Sequence, residues 1–279
     1  MVTILNAVIL GLVQGIAEFL PISSSGHLAI MQDLFGMTTA EEGHLVFDVL
    51  LHLGTLVSIF VMYWGDIAGM VREVFAVLRG GRTADGRPAG NLPQARLFLM
   101  IVFATLPLVL VLPVNNYVEQ LYYMPAFVGA MLILTGALLY VSDRMPRGHK
   151  NEKNMCIRDA LVIGLCQCVA TIPGLSRSGT TITAGIATGL DRTFAMKFSF
   201  LMSIPAVLGA NLLSLVDAIG GGIDVSLLPA YLLGMLAAML SGIAAIWLMK
   251  FISKKSRFGG FAYYCLGAGV LTIILSLVF

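Results

Sequence analysis

The chain has 279 residues, 58% hydrophobic and 11% charged, with a mean hydropathy of +0.92. An ordinary soluble domain carries roughly a quarter charged residues, so this composition excludes that class and indicates an integral membrane protein. The net charge of +2 says little alone; its distribution says more.

The chain opens on the apolar run Met1–Leu12, which has no basic residues ahead of it and is read as part of the mature protein, not as a cleavable signal. The apolar region 1–36 is then interrupted from Pro21 to Gly26, within FLPISSSGH (19–27). A helix, a polar loop and a second short helix are predicted. Apolar stretches near the ~20 residues that cross a bilayer follow at about 45–64, 96–113 and 124–142. A second broken region, 157–190, is interrupted from Pro173 to Gly179, and three further stretches lie at about 194–217, 227–249 and 259–278. The expected fold is all-α and polytopic, with six transmembrane helices and two re-entrant helix-loop-helix pairs. Irregular backbone at membrane depth is tolerated only inside protein or beside a wet cavity, so the two broken regions are where a site is expected. Cys156, Cys166, Cys168 and Cys265 lack zinc-site partners and spacing and are read as buried small hydrophobes.

Basic residues orient these elements. Arg72, Arg79, Arg82, Arg87 and Arg96, then Arg144, Arg147, Lys150, Lys153 and Arg158, then Arg192 and Lys197, then Lys250, Lys254, Lys255 and Arg257 fall on one face by alternation of the spans. The positive-inside rule makes that face cytoplasmic. Asp33, Glu41, Glu42, Glu119, Asp217 and Asp224 fall on the other, and Arg177 alone lies inside a broken region.

Offset by 153 residues, GLVQGIAEFLPISSSG (11–26) aligns with GLCQCVATIPGLSRSG (164–179), with seven of 16 positions identical. Three spans separate the two, so the halves have opposite topology. The chain reads as a single membrane domain, 1–279, of two inverted repeats, about 1–143 and 155–279, joined by the basic segment Asp143–Lys153.

The repeats share backbone-forming residues and differ in reactive ones. Glu18 and His27 stand where the second repeat has Thr171 and Thr180, and Arg177 stands where the first has Ser24. An arginine in a membrane segment costs at least ~2.5–3.5 kcal/mol, so Arg177 must face an anion, either Glu18 or a substrate phosphate. Ser23, Ser24, Ser25 and Gly26 lead into a helix from about His27, where backbone N–H groups and the dipole favour an anion; a plain serine cap is the alternative. Gln14 and Glu18, four apart, share a face directed at the loop. Asp48 and His52, also four apart on the first full span, are secondary candidates beside a purely helix-packing role. Gly54, Gly129, Gly136, Gly234 and Gly242 are read as points of close helix contact.

EFLPISSSGH (18–27), PGLSRSGTT (173–181) and FDVLLHLGTL (47–56) resemble the undecaprenyl-diphosphate phosphatases, the bacitracin-resistance family, with likeness over essentially the whole chain. The resemblance implies hydrolysis of undecaprenyl diphosphate to undecaprenyl phosphate, the lipid carrier for peptidoglycan precursors. It also implies a site open to the periplasmic side of the bacterial cytoplasmic membrane, and a divalent cation, Mg²⁺ or Ca²⁺. Carried over, the catalytic positions are Glu18, Ser24, His27 and Arg177; Gln14, Ser23, Ser25, Gly26, Ser176, Ser178, Gly179 and Thr180 line the substrate. Many members carry a second glutamate where this chain has Gln14, so the cation would rest on Glu18 with Gln14. Ser24, deprotonated by His27 or by Glu18, is the favoured nucleophile, with His27 preferred as its base, ahead of His27 itself or a metal-activated water. The expected partners are a polyprenyl diphosphate lipid and the membrane, not nucleic acid, with a homodimer left open. The alternative is a transporter or flippase that binds the same headgroup without cleaving it.

Overall fold

A chain that surrounds itself with hydrocarbon must satisfy its backbone internally, which favours helices. The computed structural model describes residues 3–35, 42–80, 92–221, 225–254 and 258–278, and among these every extended element is helical. In chain order they are α1 (Ile4–Phe19), α2 (Ser24–Leu34), α3 (Glu42–Met62), α4 (Trp64–Leu78), α5 (Pro93–Thr105), α6 (Asn115–Leu121), α7 (Pro125–Ser142), α8 (Ile157–Val169), α9 (Arg177–Ala187), α10 (Arg192–Gly221), α11 (Leu228–Lys254) and α12 (Gly259–Val278). Tight 3₁₀ turns, Leu106–Val114 and Val225–Leu227, extend α5 and precede α11.

Among the described residues, five helices are long and apolar enough to cross a membrane: Pro93–Val114, Pro125–Ser142, Arg192–Ser214, Leu228–Lys254 and Gly259–Val278. A sixth candidate is the bent pair Val46–Met62 and Trp64–Leu78. These coincide with the six apolar stretches of the sequence. One feature differs from expectation: the chain does not enter a loop after residue 64 but turns through 78° and continues as α4. The bend is held at the buried Tyr63, where Lys250 Nζ lies 4.0 Å from the ring centroid and donates to Met62 O at 2.9 Å.

Polarity is inverted relative to a soluble protein. Leu212, Trp247 and Leu277 are well exposed, whereas Gln14, Ser58, Ser142 and Ser203 are wholly buried. With no apolar contrast between helix and lipid, small residues and buried hydroxyls carry the packing. On α7 and α12, Gly129 and Gly269 face each other's carbonyl so closely that a Cβ on either would lie 2.5–2.8 Å from that oxygen. Gly54, Gly136, Gly234 and Gly242 likewise abut neighbouring helices, as expected.

The linker between the halves is tied down on both sides. Arg192 donates to Ser142 O at 2.8 Å and pairs with Asp143 at 3.3 Å, and Asp143 accepts from Phe258 N–H at 2.8 Å. Lys150 pairs with Asp159 at 2.9 Å. All four cysteines are free, but only Cys265 is buried; Cys156 is exposed because it caps α8 at the start of the helix, and Cys166 and Cys168 are intermediate. Arg82, Arg87, Lys255, Arg257, Glu41 and Asp224, used above for orientation, lie outside the described residues, as do the side chains of Asp33, Glu42, Glu119 and Asp217.

Candidate active site

Both broken regions fold as two helices joined by a polar loop. In the first, α1 stops at Phe19, because Pro21 has no N–H to continue the ladder, and α2 begins at Ser24, three residues earlier than the sequence suggested. Ser23 makes the reversal with φ 71°, a left-handed conformation unusual for a side chain. In the second, α8 ends at Val169 and α9 begins at Arg177, with Gly174 at φ 87°.

The two loops use the same hydrogen bonds. Gly26 N–H donates to Ser23 Oγ at 3.3 Å, and Gly179 N–H to Ser176 Oγ at 3.1 Å. Ser23 Oγ lies 3.3 Å from Ser25 Oγ, and Ser176 Oγ lies 3.2 Å from Ser178 Oγ. These are the aligned positions of the internal repeat. The loops also interlock: a Cβ on Gly26 would sit 3.4 Å from Gly174 Cα, and one on Gly179 would sit 3.3 Å from Pro21. Ser178 Oγ donates to Leu20 O at 3.2 Å.

The charged groups meet at this junction. Glu18, 7% exposed, accepts from Arg177 NH2 on Oε1 at 2.6 Å, and on Oε2 from Ser24 Oγ at 2.7 Å and Gln14 Nε2 at 3.0 Å. One carboxylate thus gathers a guanidinium from the second half and a hydroxyl and an amide from the first. The Arg177–Glu18 pair anticipated as one alternative is formed, and it spans 159 residues of sequence. Gln14 Oε1 remains buried without a partner. So does Thr180 Oγ1.

His27 stands apart from this cluster. Its Nδ1 lies 2.7 Å from Ser23 O and its Nε2 lies 2.7 Å from Tyr264 Oη on α12. No hydrogen bond joins it to Ser24 among the described residues, although the two share a helical face at i, i+3. Asp48 accepts from Gln32 at 2.9 Å, tying α2 to α3, and His52 Nδ1 is 2.8 Å from Asp48 O.

Three participants were not read from the sequence. Thr135 on α7 accepts from Ser176 N–H at 3.0 Å and donates to Gly174 O at 3.2 Å, clamping the second loop. Gln32 and Tyr264 are the others. A lone Thr, Gln or Tyr in an apolar helix carries no local signal; only the buried polarity of Thr135 and Gln32 could have suggested a role.

A metal can be tested against the donors present. Among the described residues no three His, Cys, Asp or Glu side chains converge. Oxygen donors are there, however: the Glu18 carboxylate, and one turn earlier the unpartnered Gln14 Oε1. That set suits a hard cation that completes its shell with substrate oxygens, better than one held by protein alone.

The sequence profile of the family described as bacitracin resistance protein BacA matches residues 7–271. A protein of Methanosphaera stadtmanae named undecaprenyl-diphosphatase is 40% identical to the chain over the full length of both. One of the same name from Methanobrevibacter smithii is 42% identical over 98% of each chain. Another, from Carboxydothermus hydrogenoformans, is 38% identical over 97% of this chain and 96% of its own.

Proposed function

The chain belongs to the BacA family of bacitracin resistance proteins, and from that membership we infer its activity: it is a multi-pass membrane phosphatase that hydrolyses undecaprenyl diphosphate to undecaprenyl phosphate and inorganic phosphate. The product is the lipid carrier used for peptidoglycan precursors. The comparisons favour hydrolysis over transport of the same lipid. The observation that carries the chemistry is the convergence of Arg177 and Ser24 on Glu18 inside an apolar protein.

The proposed reaction uses these groups as follows. Ser24 Oγ attacks the terminal phosphorus and passes its proton to Glu18 Oε2; the bond from that phosphorus to the bridging oxygen breaks, and undecaprenyl phosphate leaves. Water then attacks the phosphorus of the phosphoserine and gives its proton to His27, the P–Oγ bond breaks to release inorganic phosphate, and Glu18 returns its proton to the departing Ser24 Oγ. The 2.7 Å hydrogen bond from Ser24 favours Glu18 over His27 as base in the first step. Arg177 exchanges Glu18 for the phosphoryl oxygens and offsets the charge that develops on them. The N-termini of α2 and α9 add backbone dipoles at the same junction. Glu18 and Gln14 would hold Mg²⁺ or Ca²⁺, which when bound supplies further neutralisation of the diphosphate.

We further propose that the halves are inverted repeats and that α1–α2 and α8–α9 are re-entrant. Their support is the repeated sequence and the matching hydrogen bonds of the two loops. The distribution of basic residues supports a cytoplasmic linker and a site reached from the outer face.

Phosphate release from a polyprenyl diphosphate by purified protein in detergent, with and without chelator, tests the assignment. Arg177→Ala and Glu18→Gln are each expected to lower kcat by about 10²-fold or more, and chelator to lower release until Mg²⁺ or Ca²⁺ is restored. Folded wild-type protein that binds the lipid and releases no phosphate would overturn it.

A further inference from the structure

We propose that Tyr264, on the last helix, is a positioning residue for this reaction: it fixes the tautomer and the plane of His27. The proposal rests on the reading of His27 as part of the active site. Ser23 O is a carbonyl and can only accept, so the His27 nitrogen 2.7 Å from it, Nδ1, carries the proton. In the neutral ring Nε2 is then bare, and the hydroxyl 2.7 Å away donates to it from Tyr264. The rings are also nearly parallel, 14° apart with centroids at 5.6 Å, so the phenol restrains the imidazole plane as well as its lone pair.

The backbone is arranged to the same end. Ser23 takes its left-handed φ of 71° and turns its carbonyl to accept both from His27 N–H at 3.3 Å and from His27 Nδ1. His27 is therefore clamped between a strained residue of the first loop and a side chain 237 residues away. Nε2, the one nitrogen able to take a proton, is thereby held in a defined direction.

The test compares Tyr264→Phe, which keeps the ring and removes the hydroxyl, with His27→Ala and with the double variant, all checked for wild-type thermal unfolding in detergent. Tyr264→Phe is expected to lower kcat roughly tenfold with KM little changed, and to cause no added loss once His27 is alanine. Independently of turnover, diethyl pyrocarbonate acylates a bare imidazole nitrogen. Its rate at His27, mapped by mass spectrometry against the exposed His149, is expected to rise several-fold in Tyr264→Phe. Wild-type kcat in Tyr264→Phe beside a crippled His27→Ala would overturn the proposal, as would an equal loss in both backgrounds or an unchanged acylation rate. Full activity in His27→Ala would remove His27 from the reaction, and the proposal with it, while leaving the phosphatase assignment standing.

Discussion

Glu18 has two duties that can be separated. It neutralises Arg177 in the resting protein, and in the proposed reaction it takes the proton of Ser24. Removing one member of a buried pair leaves the other uncompensated, at a cost of about 3 kcal/mol or more. Arg177→Ala is therefore expected to unfold at lower temperature than wild type. The double variant Glu18→Gln/Arg177→Gln, with no charge left to strand, should recover most of that stability while remaining inactive. Thermal unfolding and phosphate release on the same samples check this, and a double variant as unstable as Arg177→Ala would contradict the charge argument. The sequence already carried both residues: an arginine flanked by serines in an apolar segment has few explanations. It could not reveal that Ser24 turns to Glu18 and His27 turns away, because that choice depends on Ser23 folding left-handed and on Tyr264 arriving from the far end of the chain.

Helices were legible wherever hydropathy alone decides, which is why six apolar stretches and two broken regions correspond to observed elements. The bend after Met62 was not, since the groups that hold it, Lys250 and Tyr63, are distant in sequence. Helix-to-helix distance, by contrast, is set by single residues. A Cβ on Gly15 of α1 would collide with Ser241 and Ala238 of α11 and lie 2.8 Å from Gly242 N, whereas Gly209 and Gly267 face open space. Gly15→Val is expected to force α1 from α11, costing about 1–3 kcal/mol, and to lower activity with it, because Glu18 lies one turn further along α1. Gly209→Ala and Gly267→Ala should leave the unfolding temperature unchanged or raised. Equal behaviour of the three variants would mean that close approach does not set this spacing.

Across the whole molecule, composition announced the membrane, and self-alignment is the ground on which two halves are proposed. What sequence could not supply was the interlock of Gly26 on Gly174 and Gly179 on Pro21. The proposed orientation can be read with a native reporter. Cys156 is the exposed cysteine and follows the basic linker, whereas Cys265 is buried. A membrane-impermeant maleimide is expected to label Cys156 in inverted vesicles and to spare it in sealed right-side-out vesicles. Labelling in the opposite preparation would reverse the topology, and would place the approach to the two candidate loops on the other side.

The 2.6 Å bond between Arg177 and Glu18 has a kinetic consequence. A guanidinium satisfied by its own protein does not wait empty for an anion; the carboxylate is a built-in competitor tethered at very high effective concentration. In the proposed reaction a phosphate that takes over this donor displaces the carboxylate, which would reduce ground-state affinity for substrate and product alike. In the proposed reaction the carboxylate becomes a competitor again once it has returned the serine proton, and it then helps expel the liberated phosphate. Such a site gives up tight capture in favour of rapid turnover.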